Sequence, residues 1–479
     1  MTATEICWMD AADLARDIRL RRLSPVEVTR AFIDRIEALN PTLNAFCIPM
    51  FEIAMDWARR AETAQMAGDF WGPLHGVPYA IKDSDDYAGQ KTTLGSLVHK
   101  DRIATGFSPI IQRMEAAGAI PLGKTTTPDM AWIGLTYSQL YGETRNPWDL
   151  SRNPGGSSGG SAVAVATGMA PLATGTDGAG SVRIPASFCG IFGLKPSHGR
   201  IPLMLPNVNQ HTHYGPLTRN VRDAALMMDV CAGPDPRDLY SLEGSSPGYQ
   251  DHLDKPLTGK RIAWSADLGF VTRLDPEIRH ICEMAALRFE DLGAIVEETR
   301  LDLGGVMEIA KRNWCAIMSA LVLEVNGNHV DRFDPALVAC ARQAQAQSAG
   351  AFLHDKIRMF PLYQRLVDYF EMYDFILTPT VACKPLKNGR LVPEDYPQTD
   401  WDWMEWAPYS SPFNLFHNPA ASVNAGFTQD GLPVGLQIVG PRLADLAVLQ
   451  AAHGYERAVS PAFTPPPLAR TGSLPGGEI

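Results

Sequence analysis

Three short stretches of this sequence carry side chains suited to covalent chemistry: Gly76-Val-Pro-Tyr-Ala-Ile-Lys82-Asp, Gly155-Gly-Ser157-Ser-Gly-Gly160 and Gly175-Thr-Asp-Gly-Ala-Gly-Ser181-Val-Arg-Ile-Pro-Ala186. Ser157 follows Lys82 by 75 residues, and Ser181 follows Ser157 by 24. A serine attacks a carbonyl once a neighbouring base takes its proton, and a lysine is such a base only while it is neutral. One lysine and two serines that converge would suit acyl transfer with no metal or cofactor. Taken singly, each stretch reads more blandly. Lys82 alone is a surface lysine after a strand, and the Gly/Ser run alone has the composition of a linker.

Two better-known patterns overlap or adjoin these stretches and do not fit their surroundings. Gly118-Ala-Ile-Pro-Leu-Gly-Lys-Thr125 matches a phosphate loop literally. Such a loop follows a strand and opens a helix, whereas here a helix-like run precedes Gly118 and strand-like residues fill the loop. Gly155-Gly-Ser157-Ser-Gly159 matches the nucleophile elbow of serine–histidine–acid hydrolases, which needs a hydrophobic strand before it. The residues before it, Asp149-Leu-Ser-Arg-Asn-Pro154, are polar and end in proline. His417 and His453 are the nominal partners for such a site, and each reads more simply as a structural hydrogen-bonding histidine.

The elements that must hold the three stretches alternate. The first 65 residues read as helical, with Ser24-Pro25 as a capped start and Val28, Phe32 and Ile36 at helical spacing. Val77 to Ile81 reads as a buried strand, Pro109 to Ala117 as a helix and Ala119 to Leu122 as a strand. After the Gly/Ser run, Ser161 to Met169 is helix-like, Ala170 to Thr176 a strand, and Gly190 to Leu194 another. Farther on, the pattern gives helices over Glu277–Leu292 and Phe360–Phe370, and strands at Ile262–Trp264 and Phe375–Leu377. Near the end it gives a strand pair, Ala421–Ala425 and Val434–Val439, and a closing helix, Asp445–Ala458. Alternation of this kind points to an α/β fold.

Together the three stretches resemble the amidase signature family in order and spacing. Gly123-Lys-Thr125, Asn146-Pro-Trp148, Gly193-Leu-Lys-Pro-Ser197, Gly215-Pro216 and Gly431-Leu-Pro-Val-Gly-Leu-Gln437 extend the match over roughly residues 10 to 460. The resemblance implies one domain with a large mixed, twisted β-sheet covered by helices on both faces. Within it, 1–65 would be N-terminal helices, 66–231 the catalytic core, 232–410 a variable region shaping the pocket, 411–460 a segment returning to the core and 461–479 a Pro/Gly-rich tail, disordered or draped on the surface. It implies Ser181 as nucleophile, Ser157 as a bridging serine after a cis Gly156–Ser157 bond, and Lys82 as base. Backbone amides around Gly178, Ala179, Gly180 and Ser181 would form the oxyanion hole, with Ala179 where the family commonly has glycine. Ser158 would hydrogen-bond Lys82, and Asp177 and Arg183 would brace the turn. By the same resemblance, Ala131 would lend a carbonyl and Trp132 an apolar wall.

A base at the reference lysine pKa of about 10.4 would be protonated at neutral pH, so Lys82 must be buried. Asp83, Asp85 and Asp86 oppose this, although strand alternation turns Asp83 away from Lys82. Met130-Ala-Trp-Ile133 and a second cluster, Trp401, Trp403, Trp406, Tyr409, Phe413 and Phe416, suggest an apolar or aryl amide, with esters and carbamates within the same chemistry. Ordinary packing or a dimer face accounts for the second cluster equally well. Two other readings use the same residues: the glutaminase subunit of a tRNA-dependent amidotransferase, and a silent binding protein on this fold.

The net charge of −11 argues against nucleic acid. Eight scattered cysteines form no Cys-x-x-Cys pair. The apolar run from Ser161 to Gly175 is too short and broken to span a bilayer. The expectation is a soluble cytoplasmic enzyme, monomer or homodimer, acting on a small-molecule amide with no metal and no membrane partner.

Overall fold

The computed structural model describes residues 1–203, 210–244, 246–459 and 463–470. In chain order the strands are β1 (Phe46–Pro49), β2 (Pro78–Lys82), β3 (Ile120–Thr125), β4 (Tyr137–Ser138), β5 (Gly142–Glu143), β6 (Leu172–Asp177), β7 (Phe192–Lys195), β8 (His213–Thr218), β9 (Arg261–Trp264), β10 (Ile295–Glu298), β11 (Phe375–Pro379), β12 (Ala420–Phe427) and β13 (Pro433–Val439). β4 and β5 form a small hairpin; the other eleven make one sheet in the order β1-β3-β2-β6-β8-β7-β12-β13-β11-β9-β10. The sheet is mixed: β3-β2-β6 and β11-β9-β10 run parallel, and the remaining pairs run antiparallel.

Alternation along the strands shows that both faces are covered. Phe375 and Leu377 of β11 enter one hydrophobic core, while Ile376 between them enters a second. On β9, Ile262 and Trp264 face the first core and Ala263 the second. A strand puts successive side chains on opposite faces, so two cores imply an apolar layer on each side.

Most of the expected elements form, the Asp445–Ala458 helix at its expected bounds. β3 occupies Ile120–Thr125, so Gly118–Thr125 is a strand and not a phosphate loop. The first 65 residues are not all helix: β1 pairs antiparallel with β3 at the sheet edge. Four residues are too few to print an alternation against flanking helices. In the tail, Phe463 packs on Trp8 with ring centroids 6.0 Å apart, and the Ala469 carbonyl accepts from Arg35 at 2.9 Å. Of the expected disordered tail, residues 460–462 and 471–479 lie outside the described residues.

Topology brings the three stretches together. β2 and β6 are parallel neighbours, with Ala80 opposite Ala173. Lys82 and Asp177 therefore end their strands at the same edge of the sheet, where α/β folds place their ligands. The Gly159–Ala166 helix packs beside them with all eight residues buried. Its small side chains are required: a Cβ on Gly160 would collide with Thr126 and the Ala45 carbonyl.

Candidate active site

Lys82 is wholly buried, and Nζ meets three hydroxyls: Ser157 Oγ at 2.8 Å, Ser158 Oγ at 2.9 Å and Thr176 Oγ1 at 2.7 Å. Ser158 Oγ donates onward to the Thr176 carbonyl at 3.2 Å, so towards Nζ it can only accept. A neutral amine has two N–H groups and one lone pair, and three hydroxyls satisfy it without a carboxylate. Burial pulls the Lys82 ammonium down from the usual lysine range to about 7, while Asp85 and Asp177 resist that shift.

The strand ends at Lys82, and the chain turns there through Asp85 N–H to the Lys82 carbonyl at 3.0 Å. Asp83 points away as alternation requires, accepting from Thr93 and Gly95 amides at 3.1 and 3.4 Å and facing Lys124 at 4.0 Å. Alternation does not dispose of Asp85, which the turn folds back beside Lys82. Its Oδ2 accepts from Thr174 Oγ1 at 2.6 Å, and the same hydroxyl oxygen accepts from Lys82 N–H at 2.9 Å.

Asp177 organises the turn that ends at Ser181. Its carboxylate accepts from the Gly180 and Val182 amides at 2.7 and 3.2 Å, and from Arg183 Nη2 and Nε at 2.8 and 3.0 Å. Burial alone would push this carboxyl up; the charge and hydrogen bonds of Arg183, with Lys195 and Asn414, hold it well below the usual carboxylate range. Arg183 also donates to Gln437 Oε1 at 2.7 Å, Asn414 Oδ1 at 2.5 Å and the Ser410 carbonyl at 3.1 Å. The Ser181 carbonyl accepts from Ser158 N–H at 3.2 Å, tying the two serine stretches together. The Gly156–Ser157 peptide bond is cis.

Ser157, Thr176, Gly178 and Ser181 line a cavity of about 370 Å³. One wall is apolar, built by Trp314, Ile317 and Met318 of the Val306–Ser319 helix and by Leu321 in the π-helical turn that follows. The lining also has a polar part, with Ser84, His99 and the Asp86–Arg102 ion pair at 2.6 Å. No hydrogen bond joins Ser157 Oγ to Ser181 Oγ among the described residues, although both face this cavity. A larger cavity of about 510 Å³, lined by Arg152, Arg273, Cys383, Lys384 and Tyr396 among others, includes none of Lys82, Ser157 and Ser181. Among the described residues no group of three His, Cys, Asp or Glu is arranged to hold a metal, and no helix is long and apolar enough to cross a membrane.

The Amidase family model matches residues 27–449. The chain belongs to the amidase family. An acylamidase of Rhodococcus erythropolis is 36% identical over 478 residues, covering 95% of this chain and 96% of its own. A glutamyl-tRNA(Gln) amidotransferase subunit of Moorella thermoacetica is 33% identical, covering 95% and 97%. The crystal structure of a bacterial aryl acylamidase superposes with a TM-score of 0.88 at 32% identity, covering 95% of this chain and 97% of that one. This amidase is therefore an amide-hydrolysing enzyme.

The structure corrects two sequence expectations about the amidase site. Gly180 is not free to serve an oxyanion, because Asp177 takes its amide; the amides of Gly178, Ala179 and Ser181 have no acceptor among the described residues. Trp132 does not line the cavity. It is fully buried, and its carbonyl accepts from Trp314 Nε1 at 3.0 Å, so it holds the indole that does form the wall. For the cluster from Trp401 to Phe416, left open between substrate contact and packing, the structure favours packing: Trp403, Trp406, Tyr409, Phe413 and Phe416 are all buried, with Trp401 half-buried beside them. Ala131 does line the cavity, beside Met130, both in the left-handed region at φ 55° and 53°.

His417 is no partner for a serine. It sits 4.5 Å from the His198 ring, and burial, with His198 and nearby cations, pulls it down to about 3. His453 instead faces Asp254 at 3.5 Å. Sequence reading missed Thr176 as a third hydroxyl on Lys82, and Asn414 and Gln437 as ligands of Arg183. Gln437 closes the Gly431–Gln437 match, which was the available signal.

Proposed function

We propose that this amidase cleaves the C–N bond of apolar or aryl carboxylic amides through a serine acyl-enzyme, with esters and carbamates of similar shape within reach of the same chemistry. Neutral Lys82 takes a proton from Ser157, which takes one from Ser181. Ser181 attacks the carbonyl, and the Gly178, Ala179 and Ser181 amides receive the oxyanion. The relay returns the proton to the departing amine, and water releases the acyl group by the same route. The Ser181-to-Ser157 contact closes when substrate fills the cavity, as catalytic hydrogen bonds often do. The observation that carries this reading is the buried Lys82 amine held by hydroxyls alone, one of them Ser157.

Trp314, Ile317, Met318 and Leu321 favour an apolar group next to the reacting carbonyl, in keeping with the acylamidase and aryl acylamidase relatives. A glutaminase role within an amidotransferase, the kind of assembly the Moorella relative is named for, would make little use of that apolar wall. The cytoplasmic location, the monomeric or homodimeric state and the lack of a nucleic-acid partner belong to this same reading. Its support is the acidic surface balance and eight free cysteines, seven of them buried.

The test is pre-steady-state hydrolysis of an activated aryl amide or ester by the purified chain, with fluorophosphonate labelling alongside. A burst close to one equivalent and a label on the Ser181 peptide are expected; a label elsewhere would falsify the assignment. The pH dependence follows from the direction of the lysine shift. The working form is neutral Lys82, present above about 7, so kcat/KM should rise with pH through about 7 and fall below it. A profile flat from pH 5 to 8 would contradict it.

A further inference from the structure

Asp83, Asp85 and Asp86 follow Lys82 in the chain and Asp177 ends the neighbouring strand, and three of these four carboxyls already have a cation. Asp177 on β6 is held by Arg183 through two hydrogen bonds. Asp86 pairs with Arg102 at 2.6 Å, and Asp83 faces Lys124 of β3 at 4.0 Å. Asp85 is wholly buried and has no ion pair among the described residues. Lys124 Nζ reaches its backbone carbonyl at 2.8 Å, while its carboxyl meets the hydroxyls of Thr174 at 2.6 Å and Ser84 at 3.2 Å, with the Tyr214 phenol beside it. From β8, the buried phenol of Tyr214 is the other titratable group on that side.

We propose that Asp85 is the positioning residue that governs Lys82: through Thr174 it fixes the end of β2, and its carboxyl, alone among the neighbouring acids in lacking a cation, decides how firmly Lys82 keeps its proton. This rests on the assignment of Lys82 as the base. Two buried groups of opposite type exchange one proton between a neutral pair and an ion pair, and they titrate as a unit. A protonated Asp85 leaves burial opposed by Asp177 alone and favours neutral Lys82. An ionised Asp85 draws the proton back to Lys82. Burial pushes the Asp85 carboxyl above the ordinary aspartate value, although Thr174, the two lysines and Tyr214 pull against that shift.

Asp85→Asn tests this, because the amide oxygen still accepts from Thr174 while the charge is gone. Profiles of kcat/KM against pH for an aryl amide, and of fluorophosphonate labelling rate against pH, are compared with the unaltered enzyme. The acid limb should move down by about one pH unit, raising the relative rate one unit below the original midpoint about fivefold. A limb left in place overturns the proposal, as does a uniform loss of rate at every pH, which a merely structural role would give. Thr174→Val keeps the answer within reach if Asp85→Asn does not fold. Losing the hydroxyl that favours ionised Asp85 should move the limb the same way by less, and an unmoved or raised limb overturns the idea. If the unaltered chain neither hydrolyses nor labels, the underlying functional reading fails. If it does both and the variant's limb stays, only the role of Asp85 fails.

Discussion

Ser181→Ala should lower kcat/KM for any amide substrate by about 10⁴-fold, close to 5 kcal/mol of transition-state stabilisation, with the fold retained. The size follows from the loss of the atom proposed to attack, which neither Ser157 nor Thr176 is free to replace. Ser157 is engaged by Lys82 at 2.8 Å, and Thr176 Oγ1 by the same nitrogen at 2.7 Å. The fold is spared because Ser181 is tied to its surroundings by its backbone carbonyl, while its hydroxyl makes no hydrogen bond among the described residues. Lys82→Met should cost nearly as much, and the double variant no more than the worse single, because relay members act as one unit. Near-full activity in Ser181→Ala, or additive losses in the pair, would require a different nucleophile.

What sequence could supply was order and residue type. The joint spacing of Lys82, Ser157 and Ser181 pointed to one place in the fold because β2, the Gly159–Ala166 helix and β6 are local elements at or next to whose ends those residues lie. The two misleading motifs failed on context, and β3 shows why: Lys124 lies inside a strand, where no phosphate loop can form. What stayed illegible depended on contacts distant in the chain. Trp132 looked like a cavity wall, yet the wall is Trp314, 182 residues later, held by the Trp132 carbonyl. Gly180 looked like an oxyanion donor until Asp177 was seen to take its amide. Asp83 obeyed strand alternation and Asp85 did not, because β2 stops at Lys82 and a turn has no two-residue period.

The second large effect concerns stability, and Arg183→Met should show it. Arg183 and Asp177 are both fully buried, and removing one partner of such a pair costs about 3–5 kcal/mol because the other charge is left unpaired. The loss should appear in urea unfolding as a lower midpoint, with catalysis falling too, since the same carboxylate shapes the turn through the Gly180 and Val182 amides. Arg183→Lys should recover only part of this. One ammonium cannot reach Asp177, Gln437, Asn414 and the Ser410 carbonyl together, whereas the planar guanidinium does. The pH dependence has a definite sign. In the unaltered enzyme the Asp177 carboxyl is depressed, so its contribution is present above the ordinary aspartate value of 3.8 and is lost as pH falls below it. In Arg183→Met burial dominates and the carboxyl moves up, so the folded state takes up a proton first and this variant should regain part of its lost stability as pH falls from neutral to about pH 5. An Arg183→Met protein within about 1 kcal/mol of the original would mean that Lys195, Asn414 and the turn amides hold Asp177 without the guanidinium, and that the C-terminal Gln437 segment serves packing alone.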